Sequence, residues 1–221
     1  MTLLPRPTPS LTPSQQAAAA KIGASIERAG GVALLCGPQG VGKTTVLAAV
    51  TDGVRRRGHT VECRDLLDWL RSAAPWPGDL PDVVIADAAH HAADADLARM
   101  LAACRHRASP ACLVLAGEGR LLTLVSRDTA VERAIHLRAS LRPLSPDESS
   151  LLVVPVLTAA GIGVTTAEGL VDVIHEIGGG IPAAMLRLAD LATVVATSRP
   201  DRSLGHRDIE AIHRRLSPLA A

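Results

Sequence analysis

The sequence predicts an α/β fold, a parallel sheet covered by helices, followed by a smaller unit built only of helices. Three observations carry this reading. Short apolar runs recur at residues 32–36, 82–87, 111–116 and 135–141, separated by segments with helical spacing. The runs at 32–36 and 83–86 are apolar throughout rather than alternating, the pattern of strands buried on both faces of a parallel sheet. After Pro143 the strand-like runs stop and only helical patterns continue.

Taken in order, residues 1–11 carry Pro5, Pro7 and Pro9 and are expected to form an extended, poorly ordered arm. Thr12-Pro13-Ser14-Gln15 has the form of a capping box with proline at the first helical position. A helix should follow to about Arg28, closed by Gly30-Gly31. Residues 32–36 are the first strand, and apolar positions 46, 47, 50 and 54 mark a helix that stops at Gly58. A second strand over 59–63, a helix over 65–72 and a surface loop at Pro75-Trp76-Pro77-Gly78 come next. Then follow a strand over 82–87 ending in an acid, a helix over 94–107, a strand over 111–116, a helix over 118–126 and a last strand over 135–141. In the helical part, Ser145-Pro146-Asp147-Glu148 and Thr165-Thr166-Ala167-Glu168 read as capping boxes. Pro155 should kink or split the helix it falls in, and further helices are expected over 182–197 and 206–216.

Composition narrows the chemistry. The chain has no Phe and no Tyr, so its core must be aliphatic. A net charge of +1 gives no bulk electrostatic case for nucleic acid or membrane, and the lack of aromatics argues against a base-stacking surface. Cys36, Cys63, Cys104 and Cys112 have no C-x-x-C spacing and sit among apolar neighbours, so they read as buried small hydrophobes in a reducing compartment. No signal peptide and no apolar stretch of roughly 18 to 20 residues is apparent, so a cytoplasmic protein without membrane insertion is expected.

The chemistry is concentrated between the first strand and the helix after it. Gly37-Pro38-Gln39-Gly40-Val41-Gly42-Lys43-Thr44 fits the phosphate-binding loop pattern G-x-x-x-x-G-K-[ST] at every fixed position, in the strand–loop–helix context that pattern needs. Glycines let the loop curl so that backbone N–H groups face phosphate, and the helix N-terminus adds partial positive charge. Lys43 should reach the β- and γ-phosphates, the Thr44 hydroxyl should hold Mg²⁺, and Thr45 completes the binding set; the implied ligands are ATP and Mg²⁺. Lys43 is one of only two lysines, with Lys21, in a chain that otherwise uses Arg. The acid ending the 82–87 run, Asp87, is placed as the second Mg²⁺ residue of such sites. The fold class is therefore a P-loop NTPase sheet at 12–143, followed by a helical lid at 144–221.

With these motifs the chain resembles the AAA+ ATPases, and among them the group of the secretion ATPase ExeA and the transposition ATPases TniB and MuB. The resemblance rests on a helix before the glycine-flanked strand, the GPQGVGKTT loop, IADAAHHA in place of a D-E-A-H motif, LVLAGEGRL, and LRPLSPDES leading into the helical part. It implies that the strand after the Asp87 strand is inserted beside the phosphate-loop strand. Three positions depart from the family pattern. Ala88 stands where a Glu activates the attacking water, Ala183 stands where the lid carries a sensor Arg, and Glu118 follows the strand whose tip usually holds a neutral sensor. Glu118 is then either a replacement base or a cap for the helix starting there. Arg187, four residues and about 6 Å beyond Ala183 on the same helix, is either a relocated sensor or a surface side chain.

The resemblance further implies an Arg reaching a neighbouring subunit's nucleotide, with Arg133 matching first and Arg127 second. His90 takes the last D-E-A-H position and His91 the surface; as adjacent residues they should point in different directions, unsuited to chelating one metal. Arg55-Arg56-Arg57 and Arg105-His106-Arg107 read as charge offsetting helix C-terminal dipoles rather than as DNA patches. The expected function is a slow or partner-stimulated ATPase acting as a nucleotide-dependent assembly switch, forming homo-oligomers with ATP bound. The alternatives are a non-hydrolysing ATP-binding adaptor, or a transposition or secretion ATPase subunit that binds DNA or a membrane-protein partner.

Overall fold

A computed structural model describes residues 11–26, 31–71, 81–105, 111–198 and 204–216. The expected arm up to Ser10, the helix close at Arg28 and Gly30, the loop at 75–78, and His106 and Arg107 lie outside the described residues. The chain divides into two compact units, Ser14–Arg142 and a helical unit from Pro143 onward.

In the first unit the order is α1 (Pro13–Ser25), β1 (Val32–Cys36), α2 (Lys43–Arg56), β2 (Val61–Asp65), α3 (Leu66–Arg71), β3 (Val83–Asp87), a 3-10 turn (Ala89–His91), α4 (Asp94–Arg105), β4 (Cys112–Gly117), α5 (Gly119–Arg127), α6 (Thr129–Ala134) and β5 (Ile135–Ser140). The five strands are parallel and lie in the order β2-β3-β4-β1-β5. Charge decides which strands sit inside. β1 and β4 are buried at every residue and β3 at all but Asp87, whereas the edge strands β2 and β5 carry Glu62, Arg64 and Arg138. On one face Leu34, Val84, Leu113 and Leu115 pack with Leu97, Met100, Leu101, Leu121 and Leu124. This aliphatic burial, about 1.5–3 kcal/mol for each large side chain, does the work aromatics do elsewhere.

Several boundaries differ from the sequence reading. β2 begins at Val61 rather than His59, because Gly58 turns the chain at φ 86 and His59 N–H still donates to the Val54 carbonyl. Asp65 closes β2 instead of opening α3, and its carboxylate accepts the Leu67 N–H at 2.8 Å. Residues 129–134 form a helix of their own, because the Asp128 carboxylate accepts from the N–H groups of Ala130 at 2.8 Å and Val131 at 3.1 Å. Cys63 is exposed, not buried, because it lies on the edge strand. Cys36, Cys104 and Cys112 are buried, and burial with the neighbouring Cys104 pushes the Cys112 thiol up to about 12.

The helical unit comprises α7 (Pro146–Ala159), α8 (Val164–Gly178), α9 (Pro182–Ser198) and α10 (His206–Leu216). The Ser145 box is present: Glu148 N–H donates to Ser145 Oγ at 3.3 Å, and Ser145 N–H donates to the Glu148 carboxylate at 3.4 Å. The box expected at Thr165 is absent, because α8 starts earlier, with Gly163 as its N-cap. Pro155 does not split α7. The carbonyl it deprives of a donor belongs to Leu151, which is 61% exposed, so water can satisfy it. Inside, Leu152, Leu157, Leu170, Ile174, Met185, Leu188 and Ile209 form a second core, and the buried Ser149 hydroxyl ties α7 to His175 of α8 at 2.8 Å. Among the described residues no helix is long and apolar enough to cross a membrane.

The turn between α8 and α9 offers a direct test. Gly179 and Gly180 both have left-handed backbones, at φ 59 and 67, but only at Gly180 would a Cβ strike backbone, 2.7 Å from the Leu144 carbonyl oxygen. Gly179→Ala should cost about 1 kcal/mol of left-handed strain, and Gly180→Ala about 2–4 kcal/mol by adding overlap. Equal denaturation midpoints for the two variants would contradict this packing.

Candidate phosphate-binding site

The site is assembled at the carboxyl edge of the sheet. Beyond Cys36 the chain must turn sharply beside its neighbours: Gly37 N–H donates to the Gly117 carbonyl at 3.2 Å, and a Cβ on Gly37 would sit 2.8 Å from the Leu141 oxygen. Gly40 and Gly42 take positive φ, 76 and 100, which lets the loop curl around the buried Val41. Pro38, Gln39, Thr44 and Thr45 remain exposed. Gly42 gives α2 no side-chain cap and no acid occupies its first turn, so the positive end of the helix has no neutralising carboxylate of its own. The Lys43 ammonium donates to the carbonyls of Gly37 and Pro38, both at 2.9 Å, which holds it across the loop.

Behind the loop stands a residue that motif reading missed. Gln15 of α1 is buried, donates Nε2–H to the Val41 carbonyl at 3.1 Å, and occupies the space a Cβ on Gly42 would need, 2.3 Å away. In sequence it looks only like the last member of a helix-capping box.

Opposite the loop, the Thr44 hydroxyl donates to Asp87 Oδ2 at 2.7 Å, while the Ala88 N–H holds Oδ1 at 2.8 Å. A hydroxyl and a carboxylate so placed are hard oxygen donors, the kind Mg²⁺ takes alongside phosphate and water. No group of three His, Cys, Asp or Glu side chains among the described residues could hold a metal unaided, so this pair fits an ion shared with a phosphate ligand.

Ala88 is the one non-glycine residue with positive φ among those described, at φ 53. Such a conformation costs about 1–2 kcal/mol and persists where surroundings fix it. Here the fixing group is Arg120 of α5, whose guanidinium donates to the His90 carbonyl and, at 3.2 Å, to the Ala92 carbonyl. No sequence signal marks Arg120 for this duty.

Glu118 occupies the N-cap position of α5 with extended backbone; its side chain makes no capping hydrogen bond, so at the helix end only its charge acts, on the dipole. Its carboxylate instead lies 3.7 Å from His90 Nε2. His90 and His91 do not diverge: within the tight 3-10 turn their ring centroids come to 4.0 Å with a 40° tilt. Burial first, then His91, pushes the His90 imidazole below its usual pKa, with Glu118 opposing.

The remaining candidates stand on other elements. Arg133 is exposed in the last turn of α6, and Arg127 pairs at 3.4 Å with Asp94 in an exposed contact of little energetic weight. Arg187 and Ala183 are both exposed on α9 of the helical unit.

Because Gln15 holds the loop from inside, Gln15→Ala should destabilise the protein by about 1–3 kcal/mol, the cost of leaving a buried partner unpaired. It should also weaken ATP binding, measurable by calorimetry. Gln15→Glu, which keeps the volume but loses the donor, should behave the same way.

Neither a protein-family model nor a curated protein sequence matches this chain. Solved structures do. A RuvB variant of Thermotoga maritima superposes with a TM-score of 0.63 at 18% identity over 94% of this chain and 73% of its own. The Aeropyrum pernix ORC2 protein in its ADP form gives 0.62 at 17% identity over 96% and 70%. An Hsp104 chain from a closed complex with ATPγS and casein gives 0.64 at 16% identity over 92% of this chain and 43% of its own. These neighbours are AAA+ ATPases. With a five-stranded parallel sheet, flanking helices and a helical C-terminal region, the chain has the AAA+ P-loop NTPase fold.

Proposed function

We propose that this protein binds ATP with Mg²⁺ at the loop 37–44 and acts in the cytoplasm as a nucleotide-dependent assembly switch with slow or partner-stimulated hydrolysis. The observation that carries the reading is the 2.7 Å contact between Thr44 and Asp87 beside a loop that already folds around its lysine. Lys43 exchanges its loop carbonyls for phosphate oxygens, and the N–H groups of Gly40, Gly42, Thr44 and Thr45 face the phosphates. Thr44 and Asp87 hold the metal, which supplies charge neutralisation. Arg187 serves as the lid sensor in place of the missing Arg at 183, and Arg133 reaches a neighbouring copy's nucleotide in a homo-oligomer.

In this reading Glu118 takes over from the position now held by Ala88. Its carboxylate accepts a proton from the attacking water as that oxygen bonds the γ-phosphorus and the bond to the β–γ bridging oxygen breaks. ADP and inorganic phosphate result. A second reading, an adaptor that holds ATP without turning it over, is favoured by Ala88 itself, whose methyl group accepts no proton.

Lys43→Ala should abolish ATP binding in calorimetry while the melting temperature without nucleotide stays within a few degrees, since Lys43 is only partly buried and water can replace it at the two loop carbonyls. Unaltered affinity would refute the phosphate-site reading. Arg187→Ala should weaken ATP affinity or turnover severalfold, and no change in either would return Arg187 to the solvated surface. Mass in solution should rise with ATP over ADP, and a constant mass across nucleotide states would remove the assembly switch.

A further inference from the structure

We propose that His90 is the positioning residue for Glu118, holding that carboxylate over the phosphate site so that it can serve the attacking water. The inference rests on the ATPase reading above and names a residue that reading leaves without a task.

The backbone and the ring of His90 are each held in place. Arg120 grips the His90 carbonyl from α5, which pins the backbone. The ring lies against Gly117, where an added Cβ would stand 3.0 Å from the His90 backbone nitrogen and 3.2 Å from Nδ1, so a side chain at the β4 tip would displace the ring by a few tenths of an ångström. That leaves Nδ1 buried with no hydrogen-bond partner among the described residues, while Nε2 faces Glu118 at 3.7 Å. An N–H is favoured where it faces a carboxylate over where it would be buried without an acceptor, so the proton of the neutral ring belongs on Nε2. It then points at the Glu118 carboxylate, and a shift of under about 1 Å makes a hydrogen bond.

Glu118 needs such a partner. It emerges from the tip of β4, the strand between β1, which leads into the phosphate loop, and β3, which ends in Asp87, but its side chain is 38% exposed and makes no capping bond to its own helix. A free glutamate there has three rotatable bonds and samples solvent; one tethered by His90 stays near the Thr44–Asp87 pair. Lys43 and Asp87 both act electrostatically on the imidazole, and the Gly117 carbonyl beside the ring takes the first N–H of the phosphate loop.

The test compares steady-state ATP turnover and ATP KM for the native protein, His90→Leu, His90→Gln, Glu118→Gln and the double variant His90→Leu/Glu118→Gln. Leucine preserves apolar volume over Gly117 without a donor, and glutamine restores an N–H; should the leucine protein fail to fold by circular dichroism, alanine replaces it. The expected results are a kcat about tenfold or more below native for leucine with KM within twofold, and recovery to within about threefold for glutamine. Glu118→Gln should lose about a hundredfold, the scale of a general base, and the double variant should be no worse. Equal kcat in native and leucine proteins, equal losses in leucine and glutamine proteins, or additive losses in the double variant would overturn the proposal. So would a native protein that binds ATP, in a manner abolished by Lys43→Ala, yet never turns it over; that result leaves the binding site standing. Binding that survives Lys43→Ala instead removes the ATPase reading itself.

Discussion

The insertion of β4 between β1 and β3 governs the whole working edge of this molecule. Because all three strands run parallel, their carboxyl ends meet on one side, where open α/β sheets place their ligands. β1 delivers the phosphate loop there, β3 delivers Asp87, and β4 delivers Gly117 and Glu118 between them. The Gly117 carbonyl receives the first N–H of the loop, and its missing side chain leaves room for the His90 ring. A bulkier residue at that tip would push apart the two segments that the site must bring together.

Holding those segments takes more than the sheet. On one flank Gln15 secures the loop at Val41. On the other, Arg120 secures the turn after Asp87 through two carbonyls, and the left-handed Ala88 shows that this turn is not relaxed. Strain of this sort survives only where neighbours over-determine it, and such places concentrate at functional sites. The effect is to orient the Ala88 N–H onto Asp87, so the carboxylate that faces Thr44 has little freedom left.

The helical unit follows a different logic. It has its own aliphatic core, a capping box at its first helix and a buried Ser149–His175 contact between α7 and α8, so its stability is internal to it. Its exposed α9 face carries Ala183 and Arg187 side by side in helical register.

Features set by short-range physics were legible in the sequence alone. The loop motif, the buried strands β1, β3 and β4, the capping box at Ser145 and the span of α10 all depend on residues within a few positions of one another. That is why Val32–Cys36 and His206–Leu216 came out as read. Boundaries decided by rival hydrogen bonds did not: His59 looked like strand until the Val54 carbonyl claimed its N–H, and Thr165 looked like a cap although the chain had already turned helical at Val164. Pairings across the sheet were out of reach for the same reason in stronger form. Nothing in the local pattern joins Gln15 to Val41, Arg120 to the turn after Asp87, or Glu118 to His90, because each partnership exists only once the strand order has placed distant segments side by side. Composition and spacing determined that this chain builds a phosphate loop on a parallel sheet; tertiary structure decided which side chains surround it, since directional contacts between distant residues are fixed by topology and not by sequence distance.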